Sequence, residues 1–526
     1  MKRRQFLKNS IPAGVMLPGI INGYSIKAFA ADSPFVQALM MPTTLTDHVL
    51  VLVQLTGGND GLNMVIPIEY YGAYNNARTN IAIPQNKALV IPGTNKIALH
   101  PSMTGLQELF KNGKAAVIQS VGYPSPSFSH FRATDIWMSA SDSTQVVNSG
   151  WTGRYLNYEY PNFPNGYPNA SMKDPLAIQI GSVTSLALQG PAVSMGMSIS
   201  NPNNFYNLIN GVQDTAPNTP AGKELSYIRL VSQQTQQYSA VIKDAAAKVT
   251  AQVTYPTGNS LADQLKIVAR LIKGGLSTRV YMVSFGSFDT HAVQANANDT
   301  TTGTHAILLQ RVSDAIKAFQ DDLKFLNVED RVVGMTFSEF GRRIKSNASG
   351  GTDHGAAAPM FVFGKQVISG VVGATPIIPT SSTVNDNIPF QYDFRSVYAT
   401  LLENWLCVKH EDLQNIMLKN FQTLPLVNAG ACLTVNPNTS GNSLITNYPN
   451  PFTQKTTITF STAGGHTLVQ VIDTMGRLMA SLVDREYAAG TYTVVFDGER
   501  LAAGVYYARF QNLSTQQVRT MLKVRP

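Results

Sequence analysis

A chain of 526 residues with 44% hydrophobic and 14% charged side chains is a folded protein too long for one core, which predicts one large domain and at least one smaller unit. The formal charge of +8 falls to about +3 once Lys2, Arg3, Arg4, Lys8 and Lys27 in the first 30 residues are subtracted, and no basic run follows, which excludes nucleic acid as a partner. Two cysteines, Cys407 and Cys432, allow one disulfide in an oxidising compartment or two free thiols.

Residues 1–30 read as an export signal, with a basic start, a weakly apolar middle from Ile11 to Ile21 and the small-x-small site Ala28-Phe29-Ala30. Arg3-Arg4-Gln5-Phe6-Leu7-Lys8 resembles a twin-arginine translocation signal. No later apolar stretch is long enough to cross a bilayer, so the mature chain is expected to lack a transmembrane segment.

From His48 the run VLVLVQL reads as a strand buried on both faces, and it enters the Gly-rich turn Thr56-Gly57-Gly58-Asn59-Asp60-Gly61. A short helix is predicted over Met103 to Asn112 and a second buried strand over Ala115 to Val121. The loop that follows carries Ser127, Ser129, His130 and Arg132 at an expected helix start, where free backbone N–H groups favour an anion. Residues 140–220 read as irregular cover, residues 222–254 and Leu261 to Lys273 as packing helices. A third strand, Arg279 to Phe285, ends in Ser287-Phe288-Asp289-Thr290-His291, where Asp-x-His offers two metal ligands. After a helix from His305 to Leu326, a fourth strand, Val332 to Phe337, runs into Ser338-Glu339-Phe340-Gly341-Arg342-Arg343. A polar loop then leads to Asp353-His354-Gly355 and another strand-like run, Met360 to Phe363. Asp393 and Arg395, at the start of a helix through Trp405, read as structural ion-pair partners.

Four strands thus each lead into a loop bearing Asp, His, Glu or Arg. In a parallel sheet with right-handed crossovers these loops emerge on one edge, which predicts one shared polar site.

Taken in order, the leader, LTGGNDGLN, SHFRATDIW, SFDTH, TFSEFGRR and GGTDHG resemble the bacterial family known as domain of unknown function 1501, over roughly residues 45–430. The family is placed in the alkaline-phosphatase and sulfatase superfamily. The resemblance implies an α/β fold with a mostly parallel sheet flanked by helices, and a site holding one or two divalent ions, whether zinc, calcium or magnesium. It implies Asp60, Asp289, His291, Glu339, Asp353 and His354 as metal ligands. Ser129 or Ser127 would stand at the nucleophile position, with His130 and Arg132 gripping the anion. The implied activity is hydrolysis of phosphate or sulfate esters, the substrate being a small anionic ester or a sulfated or phosphorylated glycan. The alternative is a non-catalytic surface protein binding a glycan or other polyanion. Two departures from the superfamily pattern stand out: Glu339 is followed by Phe340 rather than His, and a single residue separates Asp289 from His291.

The carboxyl tail reads as a separate unit. After a linker at 436–446, Tyr448-Pro449-Asn450-Pro451-Phe452 opens a series of short alternating runs with Gly turns, which predicts a small antiparallel sandwich of immunoglobulin-like type over 447–526. It resembles the type IX secretion sorting domain of Bacteroidetes. The leader and tail resemblances together imply the twin-arginine and type IX machineries as partners, with passage through the periplasm to the cell surface or the medium. The resulting division is a signal over 1–30, an alkaline-phosphatase-like domain over 31–435, the linker and the sorting domain.

Overall fold

The computed structural model describes residues 46–200 except 170, 238–428, 432 and 442–524 apart from 463, 474–476 and 513–514, with two three-residue strands at 19–21 and 24–26. The twin-arginine stretch from Arg3 to Lys8, the site Ala28-Phe29-Ala30 and residues 201–237 lie outside the described residues. The chain forms two compact units, one of them Thr46–Thr434 and the other including Val435–Pro526.

The larger unit is built on a nine-stranded sheet. Its strands are β1 (Val49–Leu55), β2 (Ala115–Gly122), β3 (Ala177–Ile180), β4 (Met197–Ile199), β5 (Val280–Phe285), β6 (Val332–Phe337), β7 (Ala358–Phe363), β8 (Gly370–Val372) and β9 (Tyr392–Asp393). The spatial order is β8-β2-β7-β6-β1-β5-β3-β4, with β9 beside β2. β1 pairs in parallel with both β5 and β6, while β7 runs antiparallel to β6 and β2. One reversed strand therefore sits in an otherwise parallel sheet, and the carboxyl ends of β1, β2, β5 and β6 share one edge. The sequence reading of Met360 to Phe363 did not anticipate that reversal, because strand direction depends on the connection and not on side-chain pattern.

All seven residues of β1 are buried. Val49, Val51, Val53 and Leu55 face one apolar cluster, and Leu50 and Leu52 face the other. A strand with two apolar faces can only lie in the middle of a covered sheet. Each such side chain contributes about 1.5–3 kcal/mol on burial. Helices α1 (Thr104–Lys111), α4 (Ser260–Lys273) and α5 (Thr304–Phe325) cover the first face. The second is covered by α2 (His130–Ser139), α3 (Trp151–Glu159), α6 (Phe394–Asn404) and α7 (His410–Met417).

α3 lies where irregular cover was expected. Its composition, WTGRYLNYE, hides a buried face of Trp151, Tyr155 and Leu156, and Arg154 is buried by donating to the carbonyls of Ser149, Ser139 and Ile416. Of the helix expected over 222–254, the described part is helical over 238–247 and without regular secondary structure over 249–254. Cys407 and Cys432 form a disulfide with Cα atoms 5.4 Å apart.

The carboxyl-terminal unit holds two antiparallel sheets. One joins β10 (Asn442–Tyr448), β11 (Lys455–Thr462) and β14 (Gly490–Asp497), and the other β13 (Leu478–Tyr487), β12 (Gly465–Asp473), β15 (Gly504–Asn512) and β16 (Thr515–Lys523). Ile458, Phe460 and Phe496 from the first share one core with Val469, Val471 and Phe510 from the second. No helix among the described residues is long and apolar enough to cross a membrane.

Candidate metal centre

The strand-end loops are locked together before any functional group is considered. Gly57 has φ +118°, and a Cβ there would stand 2.5 Å from the backbone nitrogen of Asp289. A Cβ at Gly58, φ +73°, would overlap the Phe340 ring at 2.1 Å. The turn after β1 is glycine because two other loops press against its backbone. Arg342 is the rivet. Its fully buried guanidinium donates to the carbonyls of Gly57, Gly58, Thr352 and Phe288, and its Nη2 lies 2.7 Å from Asp289 Oδ1. Arg343 donates to the carbonyl of His354 at 2.9 Å and lies over the Phe128 ring, 5.3 Å from its centroid. Neither arginine is left free as an anion grip.

On this frame three imidazoles converge. His130 opens α2, His291 follows β5, and His354 pairs with Arg342 in a two-residue antiparallel ladder between β6 and β7. Each Nδ1 faces an oxygen that can only accept: Glu339 Oε1 at 2.9 Å for His130, Asp353 Oδ1 at 3.2 Å for His291, and the Phe128 carbonyl at 2.8 Å for His354. In the tautomer that carries the proton on Nδ1, each Nε2 presents a lone pair.

The three Nε2 atoms turn towards Asp289. His291 Nε2 and His354 Nε2 stand 2.9 Å apart, and they lie 3.1 and 3.3 Å from Asp289 Oδ1. His130 Nε2 lies 3.5 Å from Asp289 Oδ2. Neutral lone pairs and a carboxylate at these separations repel one another unless a cation or proton stands among them. Ligands at zinc–nitrogen and zinc–oxygen distances of about 2.0–2.1 Å in a tetrahedral site are separated by about 3.3 Å, so the donor set fits a divalent ion. His130, Asp289 and His354 each bring one ligand atom within 4.8 Å of the other two.

The electrostatics agree. Burial works to raise the Asp289 carboxyl, but the Arg342 hydrogen bond and charge, followed by His291, hold it below the usual carboxylate range. Burial depresses His354, which favours the neutral ligand form.

The expected site residues separate into different roles. Asp289, His291 and His354, expected as ligands, come together. Glu339 and Asp353, also expected as ligands, stand behind His130 and His291 as partners of the Nδ1–H groups. His130, expected as an anion grip, turns its Nε2 to Asp289 beside His291 and His354.

Asp60 lies elsewhere. It is fully buried and takes Arg78 Nη1 on both oxygens at 2.8 and 2.6 Å, with Gln294 Nε2 on Oδ2 at 2.6 Å. Arg132, expected beside the anion, donates instead to the carbonyls of Asp142, Ser143 and Gln145. Ser129 is the exposed N-cap residue of α2, and its hydroxyl makes no hydrogen bond among the described residues. Ser127 Oγ accepts from the Ser129 N–H at 3.3 Å.

Sequence reasoning missed Arg78, Gln294, Thr290 and Thr352. Gln294 Oε1 accepts from Thr290 Oγ1 at 2.9 Å and from Thr352 Oγ1 at 3.0 Å while its amide donates to Asp60. This buried hub ties the loop holding Asp289 and His291 to the loop holding Asp353 and His354. One signal was available. A carboxylate as deep as Asp60 needs a counter-charge, and Arg78 is the first arginine after it.

The family described as protein of unknown function (DUF1501) matches residues 48–413. The chain belongs to it. A secretion system C-terminal sorting domain matches residues 446–524 of this DUF1501 chain, and that tail indicates type IX export, to the cell surface or into the medium. No curated protein matches the chain.

Among solved structures, it is similar to the PsFucS1 sulfatase from Pseudoalteromonas sp. at 12% identity, covering 86% of this chain and 85% of that one with a TM-score of 0.31. It is similar to a protein in the alkaline phosphatase superfamily from Vibrio parahaemolyticus at 9% identity, covering 93% and 84% with a TM-score of 0.32. A likeness to dimeric latent PorU from Porphyromonas gingivalis spans 18% of this chain and only 10% of that one, at 16% identity and a TM-score of 0.15. Likenesses this weak decide no chemistry, which has to come from the site itself.

Proposed function

We propose that the α/β unit of this exported chain is a metal-dependent hydrolase of phosphate or sulfate esters, including esters carried on glycans. The observation that supports it is the convergence of three imidazole Nε2 atoms on Asp289 with every Nδ1 facing an accepting oxygen. Nitrogen-rich donors suit zinc better than calcium or magnesium, which take oxygen. Asp289, His354, His291 and His130 are the proposed ligands. One ion is proposed and not two, because both oxygens of Asp60 are engaged by Arg78 and one also by Gln294. A bound divalent ion draws charge from the transferred group and stabilises the charge that develops on it.

The chain's own groups prepare that site. Glu339 and Asp353 fix the tautomers of His130 and His291, and Arg342 keeps Asp289 ionised and oriented. Ser129, one residue before His130, is the proposed attacking hydroxyl, with Ser127 the other hydroxyl of that turn.

Elemental analysis of the purified protein, together with turnover of an aryl phosphate and an aryl sulfate, tests the proposal. One zinc per chain is expected, with metal and turnover both lost in the Asp289→Ala/His354→Ala variant. No metal and no turnover after zinc reconstitution would overturn it. A second reading, a surface protein that binds a glycan or other polyanion without turnover, is favoured by one observation: the Ser129 hydroxyl is exposed and has no hydrogen-bonded base among the described residues. Tightly bound zinc without turnover of either ester would decide for it.

A further inference from the structure

Beside the histidine cluster lies an open cavity of about 530 Å³, a size that ligand sites commonly have. Its wall is formed by the first two turns of α2 and by the ends of β1, β5 and β6. His130 and Thr134 stand one helical turn apart, as do Phe131 and Asp135, and all four line the space. Thr56 and Ser287 supply two further hydroxyls, and Glu339 closes the inner end.

The composition of this wall is informative because it opposes the charge expected of an anion site. No lysine or arginine lines the cavity. Arg132, on the same helix, is turned away to three carbonyl oxygens, and Arg342 is buried behind Gly57. The Asp135 carboxylate makes no hydrogen bond or ion pair among the described residues, and the Phe131 ring is 87% exposed. A polyanion entering here would meet two carboxylates with no compensating guanidinium.

We infer that this cavity is a subsite for an uncharged pyranose ring, the part of the substrate that carries the ester or adjoins it. A sugar presents an apolar C–H face, which the Phe131 ring can cover, and an edge of hydroxyls. The Asp135 carboxylate can accept two such hydroxyl protons, and Thr56, Thr134 and Ser287 can each donate or accept. An organic cation would also suit Asp135, but three hydroxyls and a single ring match hydroxyl chemistry better than an aromatic cage. As the subsite of a substrate, the inference rests on the ester-hydrolase proposal. The binding it asserts needs neither metal nor turnover.

Saturation-transfer NMR on the full chain tests it, with methyl glucopyranoside, galactopyranoside, mannopyranoside and fucopyranoside as probes and dextran sulfate as the polyanion. The expected result is transfer to at least one pyranoside, weakened about fivefold or more in both Phe131→Ala and Asp135→Asn. Binding of dextran sulfate is expected to be unaffected or improved by Asp135→Asn. Absence of transfer to all four pyranosides, or transfer unchanged in both variants, overturns the subsite. Since esters are not turned over in this measurement, its failure leaves the hydrolase proposal standing. Inactivity towards esters likewise leaves the sugar site standing.

Discussion

Asp60 and Arg78 form a fully buried ion pair, and Gln294 ties it to the loops that carry Asp289 and His354. Removing one partner leaves the other charge stranded. Arg78→Met is expected to cost about 3–5 kcal/mol, and the double variant Asp60→Asn/Arg78→Met to recover much of it, as read from urea denaturation. The same region sets an acid limit on stability. Burial pushes His305 down to about 4 from its ordinary 6.5, so the unfolded chain takes up a proton between those values that the folded chain refuses. Burial would raise Asp60, yet Arg78 holds its carboxyl below the ordinary range, so Asp60 also stays ionised in the fold as pH falls. Both shifts have the same sign: stability is fully present above about pH 6.5 and falls as pH is lowered. The urea midpoint is expected to drop between pH 7 and pH 4.5, and His305→Gln should flatten the upper part of that slope. Among the groups around the ligands, Asp353→Asn keeps the shape of the partner to His291 and removes its charge. About a 10–100-fold loss of zinc affinity is expected, measured by competition with a chelating dye.

At the scale of elements, one geometric fact organises the unit: β1, β2, β5 and β6 end on the same edge, and their loops interlock through glycine and Arg342. The β1 turn admits no Cβ at Gly58, where both the positive φ and the Phe340 ring stand in the way. Gly58→Val is therefore expected to lower the melting temperature by several degrees and to release zinc, since Phe340 also packs on His130 and His354 with ring centroids 4.9 and 4.4 Å away. The strand ends were legible in the amino-acid sequence because buried strands are local events, written as unbroken apolar runs such as VLVLVQL and VVGMTF. The reversal of β7 was not, because the apolar pattern of its Met360 to Phe363 segment reads the same in either direction. The helix α3 was not either, because its buried face is made of aromatics and a carbonyl-bound arginine that read as loop composition.

For the whole molecule, the disulfide between Cys407 and Cys432 closes a segment of sequence separation 25 within the larger unit. By loop-closure entropy it stabilises the fold by about 3.5 kcal/mol, and reduction should lower the thermal midpoint accordingly, a difference visible by calorimetry with and without reductant. The described chain thus joins an α/β unit bearing a cluster of three imidazoles around Asp289 to a two-sheet tail that marks it for type IX export. By itself, the sequence determined the α/β class, the shared edge and the pool of acidic and imidazole groups on it, because apolar runs and the handedness of crossovers are properties of the chain. Only the tertiary structure decided which of those groups converge and which stand behind them. Asp60 and Asp289 follow β1 and β5 in equivalent ways, but one meets Arg78 in a dry interior and the other meets three imidazoles at the surface. That difference arises from partners distant in sequence or outside any motif, and so from packing.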